Sequence, residues 1–353
     1  MVPAAGMDQR PAAGRPAGMD RRPDISHVCS CPPESEPVDI KQVNYHDRYG
    51  FYYDDRTRDA DQPTWLGRTR RLGGGTFGEV YLYEARNRLG KHIQVAVKQF
   101  RDGRDFEEEE RHSAAVSELG LCNIVNSHAI LTRSGEGYII MNTADGDLGK
   151  IGDLSLAEIL SVDKQLSTLL FCLAQKGIYY PDLKLGNIFF RKISSGIKIL
   201  MGDLGSFCST EYPVRRTVGS DRRIRASGVN LRGKATFKPF GIGDRANVPC
   251  DKETGDRFTF YLFGLTMLFL VANSYSWATQ EFYDAMFQNM EYIAKRGWTD
   301  DVHRDILDAC SDLRDREPEI RESLQRYVNC IRAAAEWNDP RAGPRPTLDM
   351  LIQ

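Results

Sequence analysis

The sequence has no apolar run of bilayer length. Its most apolar stretch, FTFYLFGLTMLFLVA at 258–272, is about 15 residues, against the roughly 18–20 that a spanning helix needs. It reads as a buried core helix. Excess charge of either sign is also missing, since 47 Lys and Arg face 49 Asp and Glu, a formal net charge of −2. That balance argues for neither nucleic acid nor an anionic membrane as a partner, so any basic surface has to be local. Eight cysteines are present but form no CxxC pair, which removes the usual zinc and thiol-redox spacings. Cys29 and Cys31 form a lone CxC, a weak metal or redox signal. The cysteines therefore read as buried or free thiols of a reducing compartment. The N-terminus, MVPAAGMDQR, lacks a basic segment followed by an apolar core, so no secretory signal is expected. These features together predict an intracellular protein of the cytoplasm or nucleus.

With 353 residues, 41% hydrophobic and 27% charged, the chain has material for one large domain or a two-lobed one. Residues 1–40 are rich in Pro, Ala and Arg and contain a near-duplication, PAAGMDQRPAAG and PAGMDRRPD. Few of their side chains could offset the entropy of ordering, and a disordered tail is expected there. A Tyr-rich extension follows at 41–65, including NYHDRYGFYYDDR, and should pack on the domain's edge.

From about residue 66 the pattern is strand-like. HIQVAVKQF alternates, with Ile93, Val95 and Val97 on one face and Gln94, Ala96 and Lys98 on the other. A helix is predicted from near Asp105, then two strands about a Ser-Gly turn. Further on, Val162, Leu166, Leu169, Leu170 and Leu173 take helical spacing, and Gly177 is a natural terminator. Strands first and helices later predict an α+β, bilobal architecture. The small β-rich lobe would span 66–144 and the larger helical lobe 145–353. Ligands often sit at such a junction.

RLGGGTFGEVYLYEA (71–85) contains Gly73, Gly75 and Gly78 in a G-x-G-x-x-G spacing. A dinucleotide fingerprint would need a helix directly afterwards, yet EVYLYEA alternates as a strand does. Strand, glycine loop and strand suit a loop folded over nucleotide phosphates, with Phe77 at its tip shielding the site from water. Downstream, VAVKQF sets Ala96 and Lys98 on one strand face, a small residue against adenine and an ammonium against phosphates. A buried ammonium needs a carboxylate. Glu107 to Glu110 supply the choices; Glu109 is favoured and Glu110 is the alternative.

By this point the motifs resemble those of eukaryotic-type protein kinases, in order, over residues 66–353. LGGGTFGEVY is similar to the glycine loop and VAVK to the third strand. YIIMNTADGDL resembles the fifth strand, the hinge and the acidic position beyond it. LAQKGIYYPDLKLGNIFF resembles the catalytic loop, ILMGDLGSF the metal-binding triplet, YLFGLTMLFL the buried helix of the large lobe, and Arg345-Pro346-Thr347 the closing segment.

The resemblance implies ATP and Mg²⁺ as cofactors. Leu72, Gly73, Gly75, Phe77, Gly78, Val80, Ala96, Lys98, Glu109, Met141, Thr143 and Phe189 would surround the nucleotide, with Ile140 as gatekeeper. Asp182 would orient the substrate hydroxyl and accept its proton. Lys98 and Lys184 would neutralise phosphate charge. Asn187 and Asp203 are hard oxygen donors suited to the metal. Lys184, two residues after the Asp, is the serine/threonine form of the loop, so the implied partner is a protein substrate.

Several positions depart from the family. Tyr180 and Pro181 replace His and Arg, and Thr259 stands where the buried helix usually has an Asp, with Asp256 one turn away. Pro181 cannot pair with a phosphate on the activation segment, so activity independent of that switch is expected. KPF stands where Ala-Pro-Glu is usual, leaving Phe240 in place of the Glu that would pair with Arg345. Between residues 205 and 235, Arg215, Arg216, Arg222, Arg223, Arg225, Arg232 and Lys234 oppose only Glu211 and Asp221. The segment is either a solvated loop or a patch for an acidic substrate, and Thr217, Ser220 and Ser227 are phosphosite candidates within it. Divergence of this kind is common in kinases of large DNA viruses, where the compartment would be the host cell's. The alternatives are a pseudokinase scaffold or a small-molecule phosphotransferase, whose DLHPGN loop DLKLGN also resembles. Lys184 in place of that loop's His, and the closing RPT, argue against the latter.

Overall fold

The computed structural model describes Cys29 and residues 38–54, 63–75, 77–210, 223–225, 229–231, 235–237, 247–275, 280–310, 320–339, 341–342 and 344–352. Three short antiparallel strands come first: β1 (Val43–His46), β2 (Gly50–Tyr53) and β3 (Thr64–Trp65). A five-stranded antiparallel sheet follows, made of β4 (Gly67–Gly74), β5 (Gly78–Arg86), β6 (His92–Phe100), β7 (Ser127–Leu131) and β8 (Gly137–Asn142). Its strand order is β4-β5-β6-β8-β7. Helix α1 (Gly103–Ser117) runs between β6 and β7, capped at its start by the Asp102 side chain.

Period-two alternation explains how the small sheet joins the large one. Ile93, Val95 and Val97 of β6 pack with Val38, Ile40, Val43, Phe51, Tyr53 and Leu66 in one apolar cluster. The extension is thus a layer of the N-terminal lobe, and the tail boundary expected at residue 40 falls inside packed structure. Val38 and Ile40 are 3% and 4% exposed. Residues 1–37 other than Cys29 lie outside the described residues. Phe51 sits at the centre, its ring about 5 Å from those of Tyr45, Tyr83 and Tyr138. Phe51→Ala is expected to cost about 3–5 kcal/mol of unfolding free energy, read by urea titration. A change under about 0.5 kcal/mol, the ordinary range for surface sites, would show that the extension is not part of the folded lobe.

Beyond β8 and the short strand β9 (Gly146–Asp147), helices dominate: α2 (Leu156–Gln175), α3 (Lys252–Ser274), α4 (Gln280–Arg296), α5 (Asp300–Asp308) and α6 (Ile320–Ala335). Helix α2 begins at a Ser155–Glu158 capping box and ends at Gly177, whose φ of 65° is left-handed. Helix α3 is 23 residues and apolar enough by length and composition to cross a bilayer, longer than its apolar run suggested. Its most apolar stretch is 94% buried inside the fold, as a core helix requires. A Cβ at Gly264 would lie 2.5 Å from the Tyr327 carbonyl oxygen, so glycine there lets α3 and α6 touch closely. The result is the expected α+β bilobal fold.

The cysteines overturn one expectation. Cys29 is bonded to Cys172 of α2, and Cys122 and Cys250 are disulfide-bonded too. The thiol reading holds for Cys310 and Cys330, which are buried and form no disulfide. Local spacing could not reveal a bridge across 143 residues of sequence. Closing so long a loop stabilises by roughly 3–5 kcal/mol on chain-entropy grounds. Non-reducing digestion should therefore yield the Cys29 and Cys172 peptides as one linked mass, and reduction should lower Tm by about 10 °C. Separate peptides and an unchanged Tm would mean that the bridge does not form.

Candidate active site

Lys98 lies mid-strand on β6, opposite Val80 of β5 and Ile139 of β8. Its Nζ donates to Glu109 Oε2 at 2.5 Å and to Asp203 Oδ1 at 3.0 Å. Helical period selects Glu109 from the acidic run. With Phe106, Ser113 and Val116 it occupies the buried face of α1, while Glu107, Glu108 and Glu110 face solvent. Burial alone would lower the Lys98 ammonium; the carboxylates of Glu109 and Asp203 outweigh it and hold it above the ordinary lysine range. Burial pushes the Glu109 carboxyl up, against the pull of Lys98 and with the help of Asp203. One ammonium thus serves two carboxylates.

Asp203 follows β12 (Gly196–Met201) by two residues and has φ of 53°, a left-handed conformation that non-glycine residues seldom adopt. Its surroundings hold it there. Tyr180 donates its hydroxyl to the Gly202 carbonyl at 2.8 Å, and its buried ring lies tilted against that of Phe207, 4.7 Å between centroids. His112 Nδ1 lies 3.1 Å from the Gly205 carbonyl. A Cβ at Gly205 would come within 3.2 Å of the Glu109 carboxylate. Gly202 has a like constraint, since a Cβ there would sit 2.3 Å from the Phe189 ring.

Strand β10 (Ile178–Tyr179), a turn at Leu185–Asn187 and β11 (Ile188–Ile193) carry the second group. The buried Asp182 carboxylate accepts from Lys184 Nζ at 2.8 and 3.0 Å and from Asn187 Nδ2 at 2.9 Å. Asn187 Nδ2 also donates to the Asp182 backbone carbonyl at 3.0 Å. Neither bond uses Asn187 Oδ1. The Gly202 N–H donates to the Asn187 carbonyl at 2.9 Å, tying the two halves of the site together.

The glycines of the loop differ in why they are there. A Cβ at Gly78 would meet the Gln99 carbonyl at 2.2 Å, whereas at Gly73 or Gly75 it would meet nothing within 4 Å. Packing explains the third glycine and not the first two. Leu72, Phe77 and Val80 lie on β4, at the loop's tip and on β5, with Ala96 beside Lys98 on β6. Met141 and Thr143 follow the fully buried Ile140.

Sequence reasoning missed Arg191, whose Nε donates to the Thr143 carbonyl at 2.8 Å. It also left Arg345 without a partner, but Arg345 meets Glu253 of α3 at 2.7 Å. Thr217, Ser220, Ser227, Phe240 and the side chains of the arginine-rich 215–234 segment lie outside the described residues.

The family model for the protein kinase domain matches residues 66–222. No curated protein matches the sequence.

Proposed function

We propose that this chain, whose residues 66–222 match the protein kinase domain, is an active, ATP- and Mg²⁺-dependent kinase of serine and threonine hydroxyls. One observation carries this reading. Lys98 is held between Glu109 and Asp203 while Lys184 and Asn187 hold Asp182, so charge-neutralising and proton-accepting groups are assembled together. The donor set suits the cofactors. Asp203 and Asn187 Oδ1 are hard oxygen donors of the kind Mg²⁺ takes. Gly73 and Gly75, which packing does not demand, leave room for phosphates close to the backbone.

ATP with Mg²⁺ supplies the transferable phosphoryl group and shields its charge. Asp182 orients the substrate hydroxyl and takes its proton as the new bond to phosphorus forms. Lys184, already on the Asp182 carboxylate, neutralises charge on the moving group, and Lys98 positions the nucleotide's phosphates. Pro181 offers no cation to an activation-segment phosphate, and the Lys98 pairing stands without one. Activity therefore should not wait on phosphorylation there. The arginine-rich segment favours acidic protein substrates by charge alone. Four disulfide-bonded cysteines favour folding where thiols can be oxidised.

The test is Mg²⁺-dependent transfer from labelled ATP to basic and acidic proteins and to small alcohols, with Asp182→Ala and Asp203→Ala as controls. Transfer to protein, lost in both variants, is expected. Nucleotide binding without transfer would favour the scaffold reading, and transfer to alcohols alone the small-molecule one.

A further inference from the structure

Thr259, at the position where the family braces the catalytic loop, does no such work here. Its hydroxyl donates to the Gly255 carbonyl at 2.8 Å, within its own helix. One turn earlier, Asp256 is buried and accepts from the Tyr179 hydroxyl through Oδ1 at 3.0 Å. Its other oxygen takes Lys252 Nζ at 2.6 Å. Tyr179 stands three residues before Asp182 and is itself 2% exposed. A second observation concerns Gly255. A Cβ there would sit 2.4–2.5 Å from three atoms of the Tyr179 ring, so the ring lies directly on the helix backbone. Glycine inside a helix costs about 0.5–1 kcal/mol relative to alanine, a cost that contact with Tyr179 explains.

We propose that Tyr179, seated on Gly255 and bonded to Asp256, is the positioning residue that fixes the catalytic loop on helix α3. A buried charge-assisted hydrogen bond and a ring flat on the helix backbone resist both sliding and rotation of the loop. Asp256 thereby does from one turn away what Thr259 cannot. Tyr180, the next residue, fixes the Asp203 side through Gly202. Two consecutive tyrosines thus serve the two acidic groups, one through a helix and one through a backbone carbonyl.

The inference rests on the kinase reading for its kinetic consequence but not for its structural one, and the experiment separates them. Tyr179→Phe keeps the ring and loses the hydroxyl; Asp256→Ala loses the acceptor; Gly255→Ala displaces the ring. Each should lower kcat by about 10- to 100-fold, the scale of a small misplacement of reacting groups. The KM for ATP should stay within about twofold, because Lys98 and the glycine loop are untouched. The Tyr179→Phe/Asp256→Ala double variant should be no worse than the poorer single one. Hydrogen exchange at amides 179–187 should quicken in all three variants, with β4–β8 unchanged. Lower Tm with unchanged kcat, or two fully multiplicative losses, would overturn the proposal. If the wild type transfers no phosphate the kinase reading fails by itself, and unchanged exchange at 179–187 would then overturn the positioning role.

Discussion

Asparagine at position 182 is expected to lower the turnover of phosphate transfer by about 10²–10⁴-fold, the usual contribution of a positioned proton acceptor. The substitution is nearly isosteric, so the site should survive it. Asn187 Nδ2 donates to both the Asp182 carboxylate and its backbone carbonyl, and the backbone bond does not depend on the side chain. The charge is lost. An amide cannot take the substrate's proton, and it holds the Lys184 ammonium less firmly than the carboxylate that now meets it at 2.8 and 3.0 Å. Nucleotide affinity should stay within about twofold, because Lys98, Glu109 and Asp203 do not contact Asp182 through any of these bonds. Single-turnover kinetics with saturating ATP, beside equilibrium nucleotide binding, gives both quantities. Unchanged turnover would remove Asp182 from the reaction and leave the site as a nucleotide-binding scaffold.

What could be read from the sequence follows the range of the interactions involved. Period-two alternation on β6 placed Ile93, Val95 and Val97 opposite Ala96 and Lys98, and the sheet keeps those faces. Three-residue spacing from Phe106 makes Glu109 the buried member of its run, a local fact available to anyone who counts. Gly177 announced the end of α2 through its backbone freedom. Contacts made across the chain left no such trace. The Cys29–Cys172 bridge, the seating of Val38 and Phe51 on β6, and the Tyr179–Asp256 bond each join residues that no short window contains. Arg345 shows the same limit from the other side. Phe240 removed its expected partner, and Glu253, far away in sequence, took the place. Both members of that pair are about half exposed, so it is worth only about 0–1 kcal/mol and carries no strong pattern.

Lys98→Met is expected to abolish transfer, by at least about 10²-fold, and also to destabilise the fold in a pH-dependent way. Glu109 and Asp203 would then face each other in the cleft without the shared ammonium. Breaking a buried pair by removing one partner costs about 3–5 kcal/mol, to be discounted here because the Asp203 side chain is 27% exposed. Burial already pushes the Glu109 carboxyl up, and Lys98 is what pulls it down, so its loss raises that carboxyl further. A folded-state pKa above the unfolded one means that the native state binds more protons in the interval between them. Stability is therefore present below the unfolded value, near 4.3, and is lost as pH rises through the folded value. Urea titrations should show Lys98→Met falling behind the wild type as pH rises above the unfolded carboxyl value. Adding Glu109→Gln removes the group that titrates, so the double variant should regain stability and lose the pH slope while transfer stays absent. That result would separate the lysine's electrostatic duty to the fold from its duty to phosphate. A Lys98→Met protein as stable as the wild type at pH 8 would mean that the two carboxylates do not depend on this lysine, and the site's charge arrangement would have to be redrawn.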